Sequence, residues 1–277
     1  MRMRIAALGP EGTFSHELAV KISGGSEVIL LPTIKKVFDE AESGDSLGLV
    51  PVENSDAGGV GETLDGLMNT GCRIIAEYYM KIRHNLAAPV GSVSGCSVVY
   101  AHPQSHAQCS RFIEELDIPV IHTASNADSA QLALKNPGSC AVTSVSAAEN
   151  SGLEIIRPDI HNSDNNITRF LLISRDKDCL SPGISSVPET DSYSLLTKCS
   201  IIVDPETDRP GLLYNILGVF AGRKINLTRI ESRPSRRGIG SYVFFIDFEA
   251  ECGEKIISSL KSIAKVKELG CYGREEV

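Results

Sequence analysis

Four short polar motifs each follow an apolar run and carry side chains that could bind or activate an anion. They are Gly9–Ser15 (GPEGTFS), Pro51–Ser55 (PVENS), His102–Cys109 (HPQSHAQC) and Asn165–Phe170 (NNITRF). A glycine-rich turn ahead of a helix exposes backbone N–H groups to an anion, and an arginine can hold a carboxylate through two parallel hydrogen bonds. A threonine hydroxyl can hydrogen-bond a reacting oxygen. The motifs therefore indicate a site for a small carboxylate.

Each motif also has a structural interpretation that its residues alone leave open. Gly9–Ser15 can be a simple turn with a helix cap, and it is not a P-loop because no lysine follows its glycines. Asn54 and Ser55 can form a turn beside a solvated Glu53. Arg169 can be a surface residue next to a threonine at a strand edge.

The third motif raises the question of a metal site. His102, His106 and Cys109 are residue types that can converge on zinc at helical spacing. However, Pro103 interrupts a helix between the histidines, and no carboxylate or fourth ligand stands nearby in the sequence. We therefore expect no metal here, and either a glutamine that offers a hydrogen bond to a ligand or simply a capped helix start.

The elements between these motifs predict an α/β protein. From residue 4 to residue 174, short buried strands alternate with amphipathic helices, which is typical of a mainly parallel sheet. The region is long for one sheet, and the extended run 73–88 could carry the chain from one lobe to another. We predict two lobes around a cleft, with the chain crossing near residue 80 and returning near residues 157–167.

Residues 176–192 are polar and lack periodicity, so we predict a linker between a catalytic part at 1–175 and a smaller domain at 193–277. After the linker the pattern reads strand, helix, strand, strand, helix, strand, the ferredoxin-like βαββαβ order. Gly211 leaves amides free at a helix N-terminus, and Glu231 could meet an ammonium group. A zwitterionic effector would satisfy both.

Composition excludes several classes of protein. With 27 Lys and Arg against 35 Asp and Glu, the 277-residue chain has a net charge of −8, the opposite of a nucleic-acid binder. No apolar run is long enough for a membrane span, and the run at 5–8 is too short for a signal peptide. Eight scattered cysteines without a C-x-x-C motif indicate reduced, mostly buried thiols. We expect a soluble cytoplasmic protein with no nucleic-acid or membrane partner.

In this order and spacing, the motifs GPEGTFS, PVENS, HPQ, NITRF and the C-terminal IESRP closely resemble prephenate dehydratase with an ACT regulatory domain. The resemblance covers nearly the whole chain, from Arg4 to about Tyr272. It implies a two-lobed catalytic part like a type 2 periplasmic-binding protein, with prephenate in the cleft. It also implies a carbon–oxygen lyase that makes phenylpyruvate, water and CO2 without metal or cofactor, and feedback inhibition by L-phenylalanine at ACT–ACT interfaces.

The resemblance assigns roles residue by residue. The catalytic set is Thr168, Arg169, Glu53, Asn54 and Ser55, and the substrate-binding set is Thr13, Phe14, Ser15, Gln104, Asn166 and Phe170. The L-phenylalanine set is Gly211, Leu212, Leu213, Tyr214, Asn226, Leu227, Glu231, Ser232, Arg233 and Pro234. We expect Thr168 to donate a hydrogen bond to the departing hydroxyl and Arg169 to hold a substrate carboxylate.

The ferredoxin-like module also predicts self-association. It has an exposed sheet edge and one open apolar face, and pairing with a second copy would bury both. We expect a homodimer or homotetramer through the ACT and catalytic domains. Arogenate dehydratase and a non-catalytic amino-acid sensor stay open as alternatives. Because the catalytic motifs begin at Gly9, we expect no fused chorismate mutase domain.

Overall fold

The computed structural model describes residues 4–89, 96–175, 197–207, 209–250 and 254–276. The linker predicted at 176–192 lies outside these residues, and the domain boundaries at 175 and 193 stay predictions. The strands are β1 (Arg4–Leu8), β2 (Val28–Leu31), β3 (Ser46–Asn54), β4 (Gly58–Gly59), β5 (Arg73–Lys81), β6 (Asn85–Ala88), β7 (Val98–Ala101), β8 (Val120–His122), β9 (Ser139–Thr143), β10 (Glu154–Arg157), β11 (Ile167–Ser174), β12 (Thr197–Asp204), β13 (Leu227–Pro234), β14 (Tyr242–Ala250) and β15 (Lys265–Glu276). The helices are α1 (Phe14–Ile22), α2 (Ile34–Ser43), α3 (Gly61–Asn69), α4 (Pro103–Gln108), α5 (Ser110–Leu116), α6 (Asn126–Lys135), α7 (Val145–Ser151), α8 (Leu212–Ala221) and α9 (Glu254–Lys261).

The first lobe is a mixed sheet in the order β5-β11-β3-β1-β2. β1 pairs in parallel with β2 and β3, so the helices α1 and α2 are crossover connections. β11 lies antiparallel between β3 and β5, although it comes about 85 residues after β5 in the chain. This late insertion brings the NITRF motif beside the PVENS motif, in the centre of the sheet.

The second lobe is a separate sheet in the order β10-β6-β9-β7-β8, with helices α4 to α7 in its connections. The chain passes from the first sheet to the second between β5 and β6, and it returns between β10 and β11. The predicted two-lobed α/β fold is confirmed. One predicted helix, at 107–116, is instead the two helices α4 and α5. Pro103 starts α4 early, at a position where a missing N–H costs nothing, and the helix breaks at Cys109.

The C-terminal module has the predicted βαββαβ order, with its strands arranged β13-β14-β12-β15. Helices α8 and α9 cover one face of this sheet. On the other face Val243, Phe245 and Tyr272 pack in one cluster with Leu64 and Leu67 of α3. The prediction that a second copy covers this apolar face is therefore wrong, because the catalytic part of the same chain covers it. Edge strand β13 pairs only with β14 among the described strands.

The last strand is longer than the short strand predicted at 266–269. β15 continues to Glu276, and its end pairs in parallel with β5, so one sheet runs through both domains. Gly270 has a φ of 136°, and a Cβ there would lie 2.3 Å from the carbonyl oxygen of Ile74. Only glycine therefore allows this approach. The residues from Gly273 to Glu276 lack an apolar alternation, and main-chain pairing with β5 gives them their strand structure.

The cysteines depart from the prediction of reduced thiols. Cys96 is bonded to Cys140 in the second lobe, and Cys199 is bonded to Cys271 across β12 and β15. Cys72 and Cys109 are free and buried. The prediction is therefore wrong for four of the described cysteines. Cys179 and Cys252 lie outside the described residues. No helix in the described part of the chain is long and apolar enough to cross a membrane.

Candidate active site in the cleft between the lobes

A cavity of about 300 Å³ lies between the two lobes and contains most of the predicted substrate-binding residues. The first lobe contributes Thr13, Phe14, Ser15, Asn54, Thr168 and Phe170, and the second lobe contributes His102, Gln104, Ser105, Gln108 and Asn126. Ile82 and His84 come from the crossing segment. The cavity thus brings together three motifs from the first lobe and one from the second.

Thr168 reaches the cavity because of its position in β11. The strand register places Thr168 opposite Asn54 of β3 and opposite Met80 of β5. Successive side chains of a strand point to opposite faces, so Thr168 and Phe170 face the cleft together. The hydroxyl is therefore held in the centre of a sheet, at a point where two strands end.

Asn54 fixes the direction of the Thr168 hydroxyl. Its Oδ1 accepts hydrogen bonds from the backbone N–H groups of Asp56 and Ala57 at 3.1 and 3.0 Å, which sets the orientation of the amide. Its Nδ2 donates to Thr168 Oγ1 at 2.9 Å and to Asn166 Oδ1 at 2.7 Å. Since Thr168 Oγ1 accepts this bond, its own hydrogen is available to donate into the cleft.

The hydrogen bond from Asn54 Nδ2 to Asn166 Oδ1 explains the position of Asn166. This residue is only 2% exposed and lies behind Asn54, so it supports the amide and does not line the cavity. The substrate-binding role predicted for Asn166 is therefore indirect. Its Oδ1 holds the amide that in turn holds Thr168.

Helix N-termini provide the positive potential of the cleft. Thr13 caps α1 by accepting from the N–H of His16, and Ser125 caps α6 by accepting from the N–H of Asp128. The first N–H groups of a helix have no partner within the helix and favour an anion. No lysine or arginine is present among the lining residues of this cavity. The anion-binding capacity of the cleft therefore comes from backbone dipoles and neutral polar side chains.

His84 is a cleft residue that the sequence reasoning missed. It is 2% exposed, its Nε2 lies 2.8 Å from Gln108 Oε1, and its ring packs edge-on against Phe14. Burial lowers the pKa of His84 below its usual value, and burial also lowers the pKa of His102. The sequence could have indicated His84. It lies just after the predicted crossing near residue 80, and a segment that connects two lobes must border the cleft between them.

Arg169 does not reach the cleft, in contrast to the prediction that it holds a substrate carboxylate. It points to the opposite face of β11 and is 3% exposed. Its Nε lies 3.1 Å from Glu53 Oε1, its Nη1 lies 3.1 Å from Glu77 Oε2, and its Nη2 lies 2.6 Å from Asp247 Oδ2. Burial opposes the charge, but Asp247 and Glu53 outweigh it and raise the pKa of Arg169. All three guanidinium nitrogens have carboxylate partners within the chain.

Glu53 and Ser55 are also placed differently from the prediction. Glu53 lies opposite Arg169 in the register and pairs with it and with Arg229 of β13, whose Nε is 2.9 Å from Glu53 Oε2. Ser55 donates to the carbonyl of Asn165 and lies outside the cleft cavity. Of the predicted Glu-Asn-Ser set, only Asn54 lines the cleft. Alternation along β3 is the physical reason, since it sends every second side chain to the face away from the cleft.

The same alternation divides the predicted effector residues. Ile230 lies opposite Ile246 and is exposed, whereas Glu231 lies opposite Phe245 on the face that packs against the catalytic part. Arg233 shares the face of Glu231, and its Nη2 is 3.2 Å from Asp65 Oδ1 of α3. The predicted contact of Glu231 with an effector ammonium therefore disagrees with the geometry.

The remaining effector residues belong to the start of α8, to β13 and to the residue just before β13. They are Gly211, Leu212, Leu213, Tyr214, Asn226, Leu227, Ser232 and Pro234. Gly211 has a φ of 81°, and no side chain caps the helix. Leu213, Tyr214 and Ile230 are exposed apolar side chains. These residues therefore include a helix start without a side-chain cap and several exposed apolar side chains.

The histidines of the third motif pair differently from the metal arrangement considered above. His106 Nδ1 lies 3.0 Å from His122 Nε2 of β8, and Cys109 is buried in the core of the second lobe. Among the described residues, no group of three or more histidine, cysteine, aspartate or glutamate side chains could hold a metal ion. His102 caps α4 by accepting from the N–H of Gln104.

Fold and site together define a two-lobed protein with a polar cleft between the lobes and a C-terminal ferredoxin-like module. The sequence pattern of the prephenate dehydratase family matches residues 5–178, and that of the ACT domain matches residues 201–263. The first match alone covers more than half of the chain. The chain therefore belongs to the prephenate dehydratase family and carries an ACT domain.

Individual relatives agree with this assignment. A bifunctional chorismate mutase/prephenate dehydratase of Aquifex aeolicus is 35% identical over 280 residues, which cover 98% of this chain and 74% of the relative. A prephenate dehydratase of Methanocaldococcus jannaschii is 34% identical over 263 residues, which cover 92% of this chain and 91% of the relative. The crystal structure of prephenate dehydratase from Arthrobacter aurescens in complex with L-Phe superposes with a TM-score of 0.85 at 28% identity, covering 98% of this chain and 90% of that one.

Proposed function

We propose that the chain converts prephenate to phenylpyruvate, and that Thr168 is the residue that assists the departing hydroxyl. In this reaction the bond between the ring and its carboxylate breaks, and CO2 leaves. The electron pair enters the ring as the bond to the ring hydroxyl breaks, and the hydroxyl takes up a proton and leaves as water. Because the ring becomes aromatic, most of the driving force is in the substrate. The protein must supply orientation and help for the leaving group.

The hydrogen bond from Asn54 to Thr168 is the observation that carries this proposal. It leaves the Thr168 hydrogen free to point into the cavity, where a departing hydroxyl would lie. A threonine is too weak an acid to transfer its proton fully, so its contribution is a hydrogen bond that strengthens as negative charge develops on the leaving oxygen. Such a donor contributes about 3–4 kcal/mol to lowering a barrier.

The two carboxylates of prephenate would then bind without a cationic side chain. Phe14 and Ser15 at the start of α1 and Asn126 at the start of α6 line the cavity from the two lobes. Each helix N-terminus favours a negative charge, and neutral donors such as Gln104 can complete the contacts. Since Arg169 is occupied by three carboxylates, we assign it no contact with the substrate.

We further propose that L-phenylalanine binds beside the start of α8 and the outer side of β13. The uncapped α8 N-terminus suits the effector carboxylate, and the exposed side chains of Leu213, Tyr214 and Ile230 suit its ring and an ACT domain of a second copy. The unpaired edge of β13 favours a homodimer or homotetramer at this surface. A homologous enzyme from Arthrobacter aurescens crystallised in complex with L-Phe.

Incubation of the protein with prephenate tests the proposed reaction. Ultraviolet absorbance of phenylpyruvate should rise with time in proportion to enzyme, and added L-phenylalanine should slow it. A parallel incubation with arogenate decides between the two substrates, which differ only by a ketone or an amine on the side chain. If neither substrate is consumed while L-phenylalanine still binds, the chain is an amino-acid sensor and not a dehydratase.

A further inference from the structure

One carboxylate of the ACT domain extends into the interior between the two domains. Asp247 lies in the apolar strand β14, is 5% exposed, and contacts Arg169 at 2.6 Å. Its second oxygen accepts from Ser200 Oγ at 2.6 Å, and that hydroxyl lies 2.6 Å from the hydroxyl of Tyr272. Because Ser200 gives its only hydrogen to Asp247, Tyr272 must donate to Ser200. Ser200 of β12 and Tyr272 of β15 therefore support Asp247 on the side away from Arg169.

Arg169 is in turn held on every side. Glu53 of β3, Glu77 of β5 and Asp247 of β14 each contact a different nitrogen of its guanidinium. Lys198 of β12 contacts the other oxygen of Glu77 at 2.7 Å. A planar guanidinium with three fixed partners cannot rotate without leaving a buried charge unpaired. The position of residue 169 is therefore set by these contacts.

The pairing of β11 is irregular beside Arg169 on the β3 side only, since its pairing with β5 is regular from Ile167 to Leu172. Arg169 pairs with Glu53, but the next residue, Phe170, pairs with Pro51, so Val52 of β3 is an extra residue. Such a bulge interrupts the hydrogen-bonded ladder and bends the strand. It lies within two residues of Thr168. On the β3 side of β11, the contacts of Arg169 add a side-chain constraint next to this bulge.

We propose that Asp247 is a positioning residue for the dehydratase reaction, acting through Arg169 to hold Thr168 in its cleft-facing position. This inference rests on the proposed function of Thr168. It makes the ACT domain part of the support of the active site, in addition to any part in effector binding. A displacement of β14 would loosen Arg169, and the adjacent hydroxyl would lose its alignment with the leaving group.

Asp247→Asn is the direct test, because asparagine keeps the shape and removes the charge. We expect kcat for prephenate to fall roughly tenfold, since a small misplacement of a reacting group has effects of this size. The KM should stay within about twofold of the parent value, because the residues that line the cleft are unchanged. A role limited to stability would lower the melting temperature and leave kcat intact.

Asp65→Asn is the matched control. Asp65 also joins the catalytic part to the ACT domain, through Arg233 and Arg236, but it contacts no residue of β11 among the described contacts. The same substitution at the same domain interface should therefore leave kcat within about twofold of the parent value. A loss equal to that of Asp247→Asn would overturn the proposal, because the effect would then belong to the interface as a whole.

A double substitution tests the route. If Asp247 acts through Arg169, Asp247→Asn combined with Arg169→Lys should have the kcat of Arg169→Lys alone. Losses that multiply, or a kcat of Asp247→Asn equal to that of the parent, would overturn the proposal. If Asp247→Asn does not fold, Ser200→Ala decides, with an expected loss of roughly two- to threefold in kcat. An inactive parent would refute the proposed function, whereas an active parent with an unaffected variant refutes only this inference.

Discussion

The two faces of the β3–β11 strand pair differ in almost every property, although they alternate residue by residue. Thr168 and Asn54 face the cleft, where the groups that surround them are neutral and polar. Arg169 and Glu53, their immediate neighbours in the chain, face the ACT domain and belong to a network of buried charges. Neighbouring residues of one motif therefore lie in different environments. One face lines the cleft, and the other face carries the buried charges that contact the ACT domain.

The difference between the faces also explains where the charges are. A dianionic substrate in a protein of net charge −8 would seem to require an arginine in the cleft. Instead, the arginine balances three carboxylates on the opposite face, and residues at the starts of α1 and α6 line the cleft. Backbone dipoles are fixed in direction and need no reorganisation during the reaction.

Arg169→Gln should have the largest effect, on the charged face. It leaves Glu53, Glu77 and Asp247 close together without their shared partner. Removing one member of a buried ion pair costs about 3–5 kcal/mol, and we expect the free energy of unfolding in urea to fall by that amount. A matched Arg83→Gln variant, which breaks the exposed pair with Asp159, should lose at most about 1 kcal/mol. Equal losses would contradict the assigned difference between buried and exposed pairs.

Thr168→Ala should have the next largest effect, on the cleft face. Loss of the hydrogen-bond donor should lower kcat for prephenate about 10²–10³-fold, with substrate binding little changed. Thr168→Ser keeps the hydroxyl and should retain much of the activity. Steady-state kinetics of both variants, with unfolding curves that match the parent, would separate this effect from the stability effect of Arg169. An alanine variant with the turnover of the parent would refute the role of the hydroxyl.

A comparison within β13 sharpens the argument about alternating faces. Ile230→Asp changes the outer face and should raise the concentration of L-phenylalanine needed for half-inhibition about 10-fold or more, within the usual range of coupling energies of about 1–3 kcal/mol. Glu231→Gln changes the inner face and should alter that concentration by less than about threefold. The reverse order of the two effects would return Glu231 to the effector site.

A smaller effect is expected from pH, and it concerns the cleft. Burial lowers the pKa of His84 in the folded state, so the unfolded chain binds a proton more readily below about pH 6.5. Stability should therefore be fully present above that pH and decrease as the pH falls, by at most about 1.4 kcal/mol per pH unit for this group. In urea titrations from pH 7.5 to pH 5, His84→Gln should show a smaller slope than the parent. Equal slopes for His84→Gln and the parent would exclude His84 as the cause.

The fold was largely predictable because its signals are local. Alternating buried strands and amphipathic helices predicted the two lobes, and the βαββαβ order predicted the ACT domain. The polar end of β15 was not predictable, because its pairing with β5 depends on main-chain hydrogen bonds across the domain interface. The sequence predicts an apolar face on the ACT sheet, but it does not predict that α3 packs against this face.

The sequence predicts which motifs form the site, but it predicts less well which of their side chains face the cleft. Thr168, Asn54 and Phe14 line the cleft, with Asn54 at the last position of β3 and Thr168 at the second position of β11. The prediction that Arg169 and Glu53 lie in the cleft is wrong, because side chains alternate along a strand and these two residues point to the opposite face. Glu77 and Asp247 are sequence features that indicate the buried charge network. A single carboxylate inside an apolar strand usually needs a buried cation.

The central claim is that substrate touches Thr168 and not Arg169, and a crystal structure with a stable prephenate analogue tests it most directly. The analogue's hydroxyl should lie within hydrogen-bond distance of Thr168 Oγ1, its carboxylates should contact the first N–H groups of α1 or α6, and Arg169 should keep Glu53, Glu77 and Asp247. A carboxylate of the analogue bound to the Arg169 guanidinium would contradict the account.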